Sequence, residues 1–378
     1  MQRIAWGSAA YTAMAYAVNA VYQGYIVKFY QQRGVRGGAL TALLVSFPAM
    51  SVFAQPLWGR LADRTGRRRG VLRTAILLSA CALPLLRLPL PFAGLLAVSC
   101  AFAACYPAIQ PLSDSVILDG LHRRDQPYGP VRLAGCAAFA AASFAAGRLL
   151  RDRYAAVPAI VCPGLIGLAA ATALLPREAK EKPAGAASFI DVLRLPHMLP
   201  LLALFMLLQM TLGYFYSSYA LFFTGLPGAD SGLLGLSLFV ATASEAPFLL
   251  LGDRLFRRYG AGRLLLCAAF SQAVRFLILG LSRRVPVILA SQLLHGLGFA
   301  VISFSMAQYV SRAAPPALRA RGQTLLSAAG LGVARVLGVL MGRGIGGQGG
   351  FLAMAGAAAL GLIVFFPVFH RLPPLNGA

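Results

Sequence analysis

The sequence predicts an all-α polytopic membrane protein with 12 transmembrane helices arranged as two six-helix bundles. Of the 378 residues, 58% are hydrophobic and only 12% are charged, and the mean hydropathy is +0.72. A soluble domain is less apolar and about twice as charged. Uncharged apolar runs long enough to cross a bilayer recur from end to end, and one long polar stretch separates six of them from the other six.

The twelve candidate spans follow one another with short polar connectors. They lie near residues 5–29, 37–58, 71–90, 92–118, 129–150, 155–175, 198–223, 231–252, 262–282, 285–311, 321–342 and 350–369. The longest connector, 176–197, has the Pro-rich and charged composition of a linker. We therefore expect an N-terminal six-helix bundle over 1–175, a cytoplasmic linker over 176–197 and a C-terminal six-helix bundle over 198–378.

The distribution of basic residues predicts the orientation. Connectors on the side of both termini carry 21 Lys and Arg, and those on the opposite side carry 10. By the positive-inside rule, both termini are expected in the cytoplasm. The cluster from Arg148 to Arg153 runs against this bias. The spans predict a multi-pass protein of the plasma membrane, which is the inner membrane in a bacterium.

The net charge of +23 would indicate a nucleic-acid partner in a soluble protein. Here the arginines lie mostly between apolar runs, so anionic lipid headgroups are the expected partners, and no nucleic-acid-binding motif is present. The six cysteines lie singly inside apolar runs and the four histidines are dispersed. This pattern predicts small buried cysteines, no metal and no cofactor, and it lacks the nucleophile–base set of an enzyme.

A short basic connector between the second and third spans carries the most specific motif. The run 59–69 reads Gly-Arg-Leu-Ala-Asp-Arg-Thr-Gly-Arg-Arg-Arg. Its glycines favour a tight turn, and Asp63 is expected to cap a helix start and to pair with a nearby Arg. The run resembles the loop signature of the major facilitator superfamily between helices 2 and 3. The resemblance implies a conformational-switch loop that contains Gly59, Asp63, Arg64, Gly66 and Arg67.

Aromatic residues crowd the outer end of the first span. Tyr22, Tyr25, Phe29 and Tyr30 fall within nine residues of one another. Aromatic side chains are enriched at membrane interfaces, so the expected role of these four is an interfacial belt, with a ligand-binding wall as the alternative.

Ionisable residues inside apolar spans are the strongest functional candidates. A charge at the centre of a membrane helix costs about 2.5–3.5 kcal/mol on insertion scales, so it marks a functional site by default. The residues concerned are Asp114, Arg132, Glu245, Arg275, His295 and Arg335.

In the first half, Asp114 and Arg132 lie 18 residues apart across a short hairpin and can face one another. The acidic residue and the Gly-x-x-Arg-x-x-Gly-Cys run over 129–136 resemble helices 4 and 5 of the lactose permease group. The resemblance implies that Asp114 and Arg132 bind solute and that Phe139 stacks on it. The phenylpropionate permease and nucleoside:proton symporter groups share this pattern. The alternative is a structural ion pair that holds two helices together.

In the second half, Arg275 and His295 lie 20 residues apart and resemble the helix 9 and 10 segments of the same groups. The resemblance implies a proton-coupling network of Glu245, Arg275 and His295, with Glu245 and Arg335 also binding solute. The glutamate that follows the histidine in lactose permease is replaced by Gly298. Arg335 has no acidic partner on the seventh span, so it is either free or paired with Glu245.

The resemblance implies a monomeric secondary transporter that binds a small polar organic solute near the midplane between the halves. A sugar, a nucleoside and an aromatic or other organic acid are the expected solute classes. Alternating access with proton symport is the expected mechanism. Proton-antiport efflux of drugs or metabolites is an alternative with the same fold. A non-transporting membrane protein is a more distant one, because the spans leave no room for a soluble domain.

Overall fold

A computed structural model describes residues 2–124, 126, 128–176 and 189–370, and the regular structure in these ranges is helical. Short 3₁₀ turns lie at Tyr106–Ala108, Tyr154–Ala156, Thr172–Leu174 and Gln292–Leu294, and a π-helix covers Ser327–Ala334. The α-helices are α1 Gln2–Gln32, α2 Gly37–Thr65, α3 Arg68–Leu85, α4 Phe92–Cys105, α5 Ile109–His122, α6 Gly129–Leu150, α7 Val157–Ala171, α8 Phe189–Leu193, α9 Met198–Thr224, α10 Ser231–Ala243, α11 Ala246–Leu281, α12 Val285–Ser291, α13 His295–Ala313, α14 Pro316–Leu326, α15 Arg335–Gly344 and α16 Gly347–Phe369.

Within the described residues, nine helical segments are long and apolar enough to cross a membrane. One of them, Ser231–Leu281, covers two of the spans predicted from the sequence. The helices α1 and α3 are not among the nine, because α1 is rich in Tyr, Gln and Asn and α3 carries three arginines in its first two turns. Large apolar side chains such as Phe53, Leu149 and Ile363 are 69–73% exposed, which fits a surface that faces lipid.

The chain divides into two compact units. The first contains 1–183 together with 230–239, and the second contains 184–229 together with 240–378. In the first unit α1 packs on α6 and α7, α2 packs on α4, and α3 packs on α4, α5 and α7. Gly147 of α6 and Gly235 of α10 meet so closely that a side chain at either would strike the other helix's backbone. Small residues permit such contacts between membrane helices.

The core of the first unit is aromatic. Tyr22 packs against Phe102 and Tyr106, with ring centroids 4.8 and 5.2 Å away. The Tyr25 hydroxyl donates to the Ser143 carbonyl oxygen at 2.9 Å, and Phe29 and Tyr30 are also buried. The interfacial belt expected for Tyr22, Tyr25, Phe29 and Tyr30 is therefore wrong. Their side chains point inward because each ring fills core volume and the hydroxyls of Tyr25 and Tyr30 have partners in Ser143 and Ser99.

In the second unit α11 packs on α13 and α16, and α9 packs on α15 and α16. The fully buried side chains of Phe256, Leu265, Val301 and Met306 form the centre of its core. Val192 of the short α8 joins this core, so part of the polar connector is anchored to the second unit.

The signature over 59–69 is mostly helical. The helix α2 continues through Thr65, and α3 begins at Arg68, so the turn itself is only Gly66 and Arg67. Gly66 has a left-handed backbone with φ 61°, which favours glycine, and its N–H donates to the Ala62 carbonyl. Gly59 lies inside α2 and makes no turn. The expectation that Asp63 caps a helix start is wrong, because Asp63 is in the last turn of α2 and Arg67 is the residue before α3.

Four of the predicted spans are interrupted in their interior: the fourth passes through the 3₁₀ turn Tyr106–Ala108, and the other three are the eighth, tenth and eleventh. The eighth breaks at Ser244–Glu245, between α10 and α11, and the tenth passes through the 3₁₀ turn Gln292–Leu294. The eleventh contains the π-helix Ser327–Ala334. Irregular backbone at membrane depth is tolerated only where protein or a polar cavity satisfies it, and π segments are frequent at functional sites.

Candidate functional site

Asp114 and Arg132 of the first unit both lie close to Tyr128. Its hydroxyl donates to Asp114 Oδ1 at 2.7 Å, and Arg132 follows one helical turn later on α6. The Arg132 guanidinium lies 5.1 Å from the centre of the Tyr16 ring, and its charge acts on the Asp114 carboxylate. The predicted Asp114–Arg132 pair is thus bridged by a tyrosine, and the two charges are not among the ion pairs within 4.0 Å in the described chain.

Phe139 lies seven residues after Arg132, about two turns along the same face of α6. Its side chain is half-buried. The position is compatible with a role beside Arg132. Gly135, between them, lets α6 approach α1, since an added methyl group would lie 2.9 Å from the Thr12 side chain.

Arg275 is the most deeply buried charge of the second unit, with 1% of its surface exposed. Its Nη2 donates to Gln292 Oε1 at 2.6 Å, and its guanidinium lies 4.1 Å from the centre of the Phe215 ring. A buried cation held between an amide oxygen and an aromatic face has a fixed position.

Glu245 and His295 form a buried pair beside Arg275. The distance from His295 Nε2 to Glu245 Oε1 is 3.7 Å, and both side chains are less than 10% exposed. The imidazole stacks on Phe299, with ring centroids 5.2 Å apart, and the charge of Arg275 acts on it. At 3.7 Å the two groups are within ion-pair distance and not hydrogen-bonded, so the carboxylate and the imidazole interact electrostatically.

Both members of this pair lie where a span breaks. Glu245 directly precedes α11, and His295 directly follows the 3₁₀ turn of the tenth span. The two breaks are joined, because the Gly296 N–H donates to Ser244 Oγ at 2.8 Å. Gly296 has to be a glycine here, since a side chain would strike the Ser244 carbonyl.

Arg335 begins α15, directly after the π-helix. Its guanidinium lies 5.1 Å from the centre of the Tyr216 ring, and its side chain is half-buried. Arg335 Nε is buried and has no hydrogen-bond partner. A guanidinium on an aromatic face keeps its planar edge of donors available.

The basic turn after α2 forms a charge network inside the first unit. Arg68 donates to Asp119 of α5 and lies 3.9 Å from Asp63, and Arg69 donates to the Thr172 carbonyl at 2.9 Å. Asp63 therefore pairs with an arginine, as expected. Arg64 and Arg67 are exposed, and the arginines that connect the helices are Arg68 and Arg69.

Several polar partners were not identified from the sequence. Tyr128 lies one turn before Arg132, and Gln292 lies three residues before His295. Spacing on a helix face is the signal that could have found both. No group of three metal-ligating side chains occurs in the described residues, and all six cysteines are free. Cys81 and Cys267 are exposed, so the expectation that all six are buried is wrong.

Three comparisons bear on this arrangement. The family model described as "MFS_1 like family" matches residues 8–352. The chain is 31% identical over 341 residues to the maltose permease of Geobacillus stearothermophilus, covering 87% of this chain and 86% of that protein. It is 25% identical over 226 residues to the probable 3-phenylpropionic acid transporter of Escherichia coli K12, covering 58% and 59%. A crystal structure of a variant of the nucleoside transporter NupG superimposes with a TM-score of 0.84 at 16% identity, covering 97% of this chain and all of that one.

The helical architecture, the charges within apolar spans and the basic turn define a multi-pass membrane transporter. The chain belongs to the MFS_1 like family, within the major facilitator superfamily. Its relatives are transporters and not enzymes, as the sequence predicts, and they imply that it carries a small solute.

Proposed function

We propose that the protein is a secondary transporter that moves a small polar organic solute by alternating access, coupled to protons in symport. The candidate solute classes are sugars, nucleosides and organic acids; relatives of this chain include a maltose permease and a probable 3-phenylpropionic acid transporter. In this proposal 12 helices form two six-helix bundles that are connected by a linker at 176–197. The protein acts as a monomer in the plasma membrane, with both termini in the cytoplasm and anionic lipids at its basic connectors.

The observation that carries the proposal is the buried Glu245–His295 pair at 3.7 Å, beside Arg275 and at two helix breaks. Coupling requires a group that binds a proton in one state and releases it in another. The Gly298 position offers no carboxylate, so Glu245 is assigned as the proton carrier and His295 as its partner. Arg275, fixed by Gln292, supplies the charge that favours release of the proton.

Solute contacts are assigned to Asp114, Arg132 and Phe139 in the first unit, and to Glu245 and Arg335 in the second. In the first unit, Tyr128 holds the Asp114 carboxylate in place for this role. The turn with Gly66 and Arg67, and the neighbouring Gly59, Asp63 and Arg64, is assigned as the conformational switch. Its Asp63–Arg68–Asp119 charges connect α2, α3 and α5, so they can be exchanged when the conformation changes.

The test is transport in proteoliposomes with radiolabelled solutes and an imposed pH gradient. Wild type is expected to accumulate its solute when the outside is acidic. Glu245→Gln is expected to lose this accumulation but to retain exchange of solute for solute at reduced affinity, because exchange needs no net proton transfer and the amide keeps only part of the solute contact. Asp253→Asn, which removes an exposed carboxylate of the same unit, is the matched control and is expected to keep both activities.

Two results would overturn the assignment. Accumulation by Glu245→Gln at the wild-type level would show that another group carries the proton. Accumulation only when the inside of the vesicle is acidic would replace symport by proton-antiport efflux.

A further inference from the structure

We propose that the solute is an organic anion with an apolar or aromatic body, bound through Arg335, and that Tyr216 and Phe299 hold that body. This inference rests on the proposed function and deepens it. It assigns a charge to the solute, and it adds two residues that the sequence did not identify as solute contacts.

Arg335 is more accessible than Arg275, although the Nε of each arginine is buried and has no hydrogen-bond partner. Arg275 is held by Gln292 at 2.6 Å and is 1% exposed, so it has little capacity to leave its place. Arg335 is half-buried, rests on Tyr216 and keeps a buried Nε without a hydrogen-bond partner. An arginine edge with an open Nε–H matches the two oxygens of a carboxylate.

The local charge favours an anion. The charges that act on Tyr216 are those of Arg335, Glu245 and Arg275, so two cations surround this ring against one carboxylate. The α9 helix contributes no acidic residue toward Arg335. A negatively charged solute group would supply the counter-charge that this helix lacks.

The backbone fixes where Arg335 can reach. A side chain at Gly213 of α9 would meet the Cα atom of Arg335 at 2.7 Å, so the two helices touch at this point. The π-helix that ends at Ala334 sets the direction in which Arg335 leaves the helix. Tyr216 follows Gly213 by one helical turn on α9, which places its ring under the guanidinium.

One half-buried ring, Tyr216, lies against this cation, and a second half-buried ring, Phe299, packs against Tyr216. Tyr216 and Phe299 meet edge to face with centroids 6.4 Å apart, and His295 stacks behind Phe299. Phe215 lies beside Tyr216 and is fully buried. The accessible layer is therefore one guanidinium and two rings, which suits an anion with a ring or an apolar chain more closely than the many hydroxyls of a sugar.

The experiment measures equilibrium binding and exchange in proteoliposomes for phenylacetate, 3-phenylpropionate, the neutral amide of 3-phenylpropionate, and maltose. Wild type is expected to bind the carboxylates and not the amide. Arg335→Gln is expected to weaken carboxylate binding at least tenfold, and Arg335→Lys to restore part of it. Arg284→Gln removes an exposed cation of the same unit and is expected to bind within twofold of wild type.

Tyr216→Leu provides a second variant that keeps the cation. It is expected to weaken binding of phenylacetate and 3-phenylpropionate severalfold while it retains the wild-type melting temperature. Binding of maltose that is unchanged in Arg335→Gln would overturn the inference while leaving the transporter assignment intact. Failure of the proposed function has a different signature, since then no solute of any class exchanges across the membrane, and the inference falls with it.

Discussion

At the scale of single residues, the Asp114 carboxylate of the first unit is held by the hydroxyl of Tyr128. Tyr128 donates to Asp114, and Arg132 acts on the same carboxylate without direct contact within 4.0 Å. The hydroxyl therefore orients the acid, while the guanidinium lies on the Tyr16 ring and does not pair directly with Asp114. A direct Asp114–Arg132 pair would have neutralised both groups.

Replacing Tyr128 by Phe removes this hydrogen bond and keeps the ring. Hydrogen bonds to charged groups contribute about 1.5–3 kcal/mol, so solute affinity is expected to fall by about tenfold or more. The dissociation constant of the transported solute measures the effect. Tyr154→Phe is the control, because the Tyr154 hydroxyl also donates to a carboxylate, Asp152, at 2.8 Å but at the end of the bundle. Equal losses in both variants would make the role of Tyr128 structural.

The sequence located the charges within the spans but not the residues that they contact. Charges within apolar spans are detectable from composition, because lipid makes them costly. Their neutral partners are not detectable in this way. Gln292 and Tyr128 look like ordinary polar residues in the sequence, but the fold brings them within 2.6 and 2.7 Å of a charged group. The burial of Tyr22 was mispredicted for a similar reason, since an aromatic residue near a helix end fits an interface as well as a core.

At the scale of helices and turns, the turn in the basic motif depends on the backbone conformation of one residue, Gly66. Gly66 ends α2 in the left-handed region, whereas Gly59 is an ordinary helical position with open space beside it. Position 66 of the motif therefore requires a glycine, whereas position 59 does not.

Gly66→Ala is expected to destabilise the protein by about 1–2 kcal/mol, because a side chain is strained at φ 61°. Gly59→Ala is expected to be neutral or to stabilise by up to about 1 kcal/mol, since alanine favours the helix. Thermal unfolding of the purified variants measures both. A larger loss for Gly59→Ala than for Gly66→Ala would contradict this assignment of the turn.

Most helix positions were predicted, although α2 continues to Thr65 beyond its predicted end at 58 and α11 joins the end of the eighth predicted span to the ninth; helix breaks were not predicted. A hydrophobic run shows where a span lies, since its length must match the bilayer. The break at Glu245, the 3₁₀ turn before His295 and the π-helix before Arg335 leave no mark in hydropathy. They depend on side-chain and backbone contacts with neighbouring helices, such as Ser244 with Gly296.

At the scale of the whole molecule, composition and the basic motif were enough to predict a transporter of the major facilitator superfamily, and the family match confirms it. The solute class was not predictable, because the charge pattern over 110–136 resembles several groups with different solutes. The proposal of an anionic solute depends on the surroundings of Arg335, and these are visible only in the folded structure.

The orientation is open to a direct test. In a cysteine-free background, Arg283→Cys is expected to react with an impermeant maleimide on intact cells. Arg123→Cys is expected to react only after the membrane is permeabilised, because the connectors on its side carry 21 of the Lys and Arg against 10 opposite. Labelling of Arg123→Cys on intact cells would reverse the assigned topology.

The π-helix has a consequence for how this chain tolerates change in length. Because each residue of an α-helix turns by about 100°, deleting one residue from 327–334 would convert the segment toward an ordinary α-helix and rotate all that follows. Arg335 would then turn away from Tyr216, and Gly338 and Gly342 of α15 would lose their close contacts with α9. The eleventh span thus consists of two α-helical parts joined by the π-helix Ser327–Ala334. A single insertion or deletion in the π-helix would displace more contacts than most substitutions.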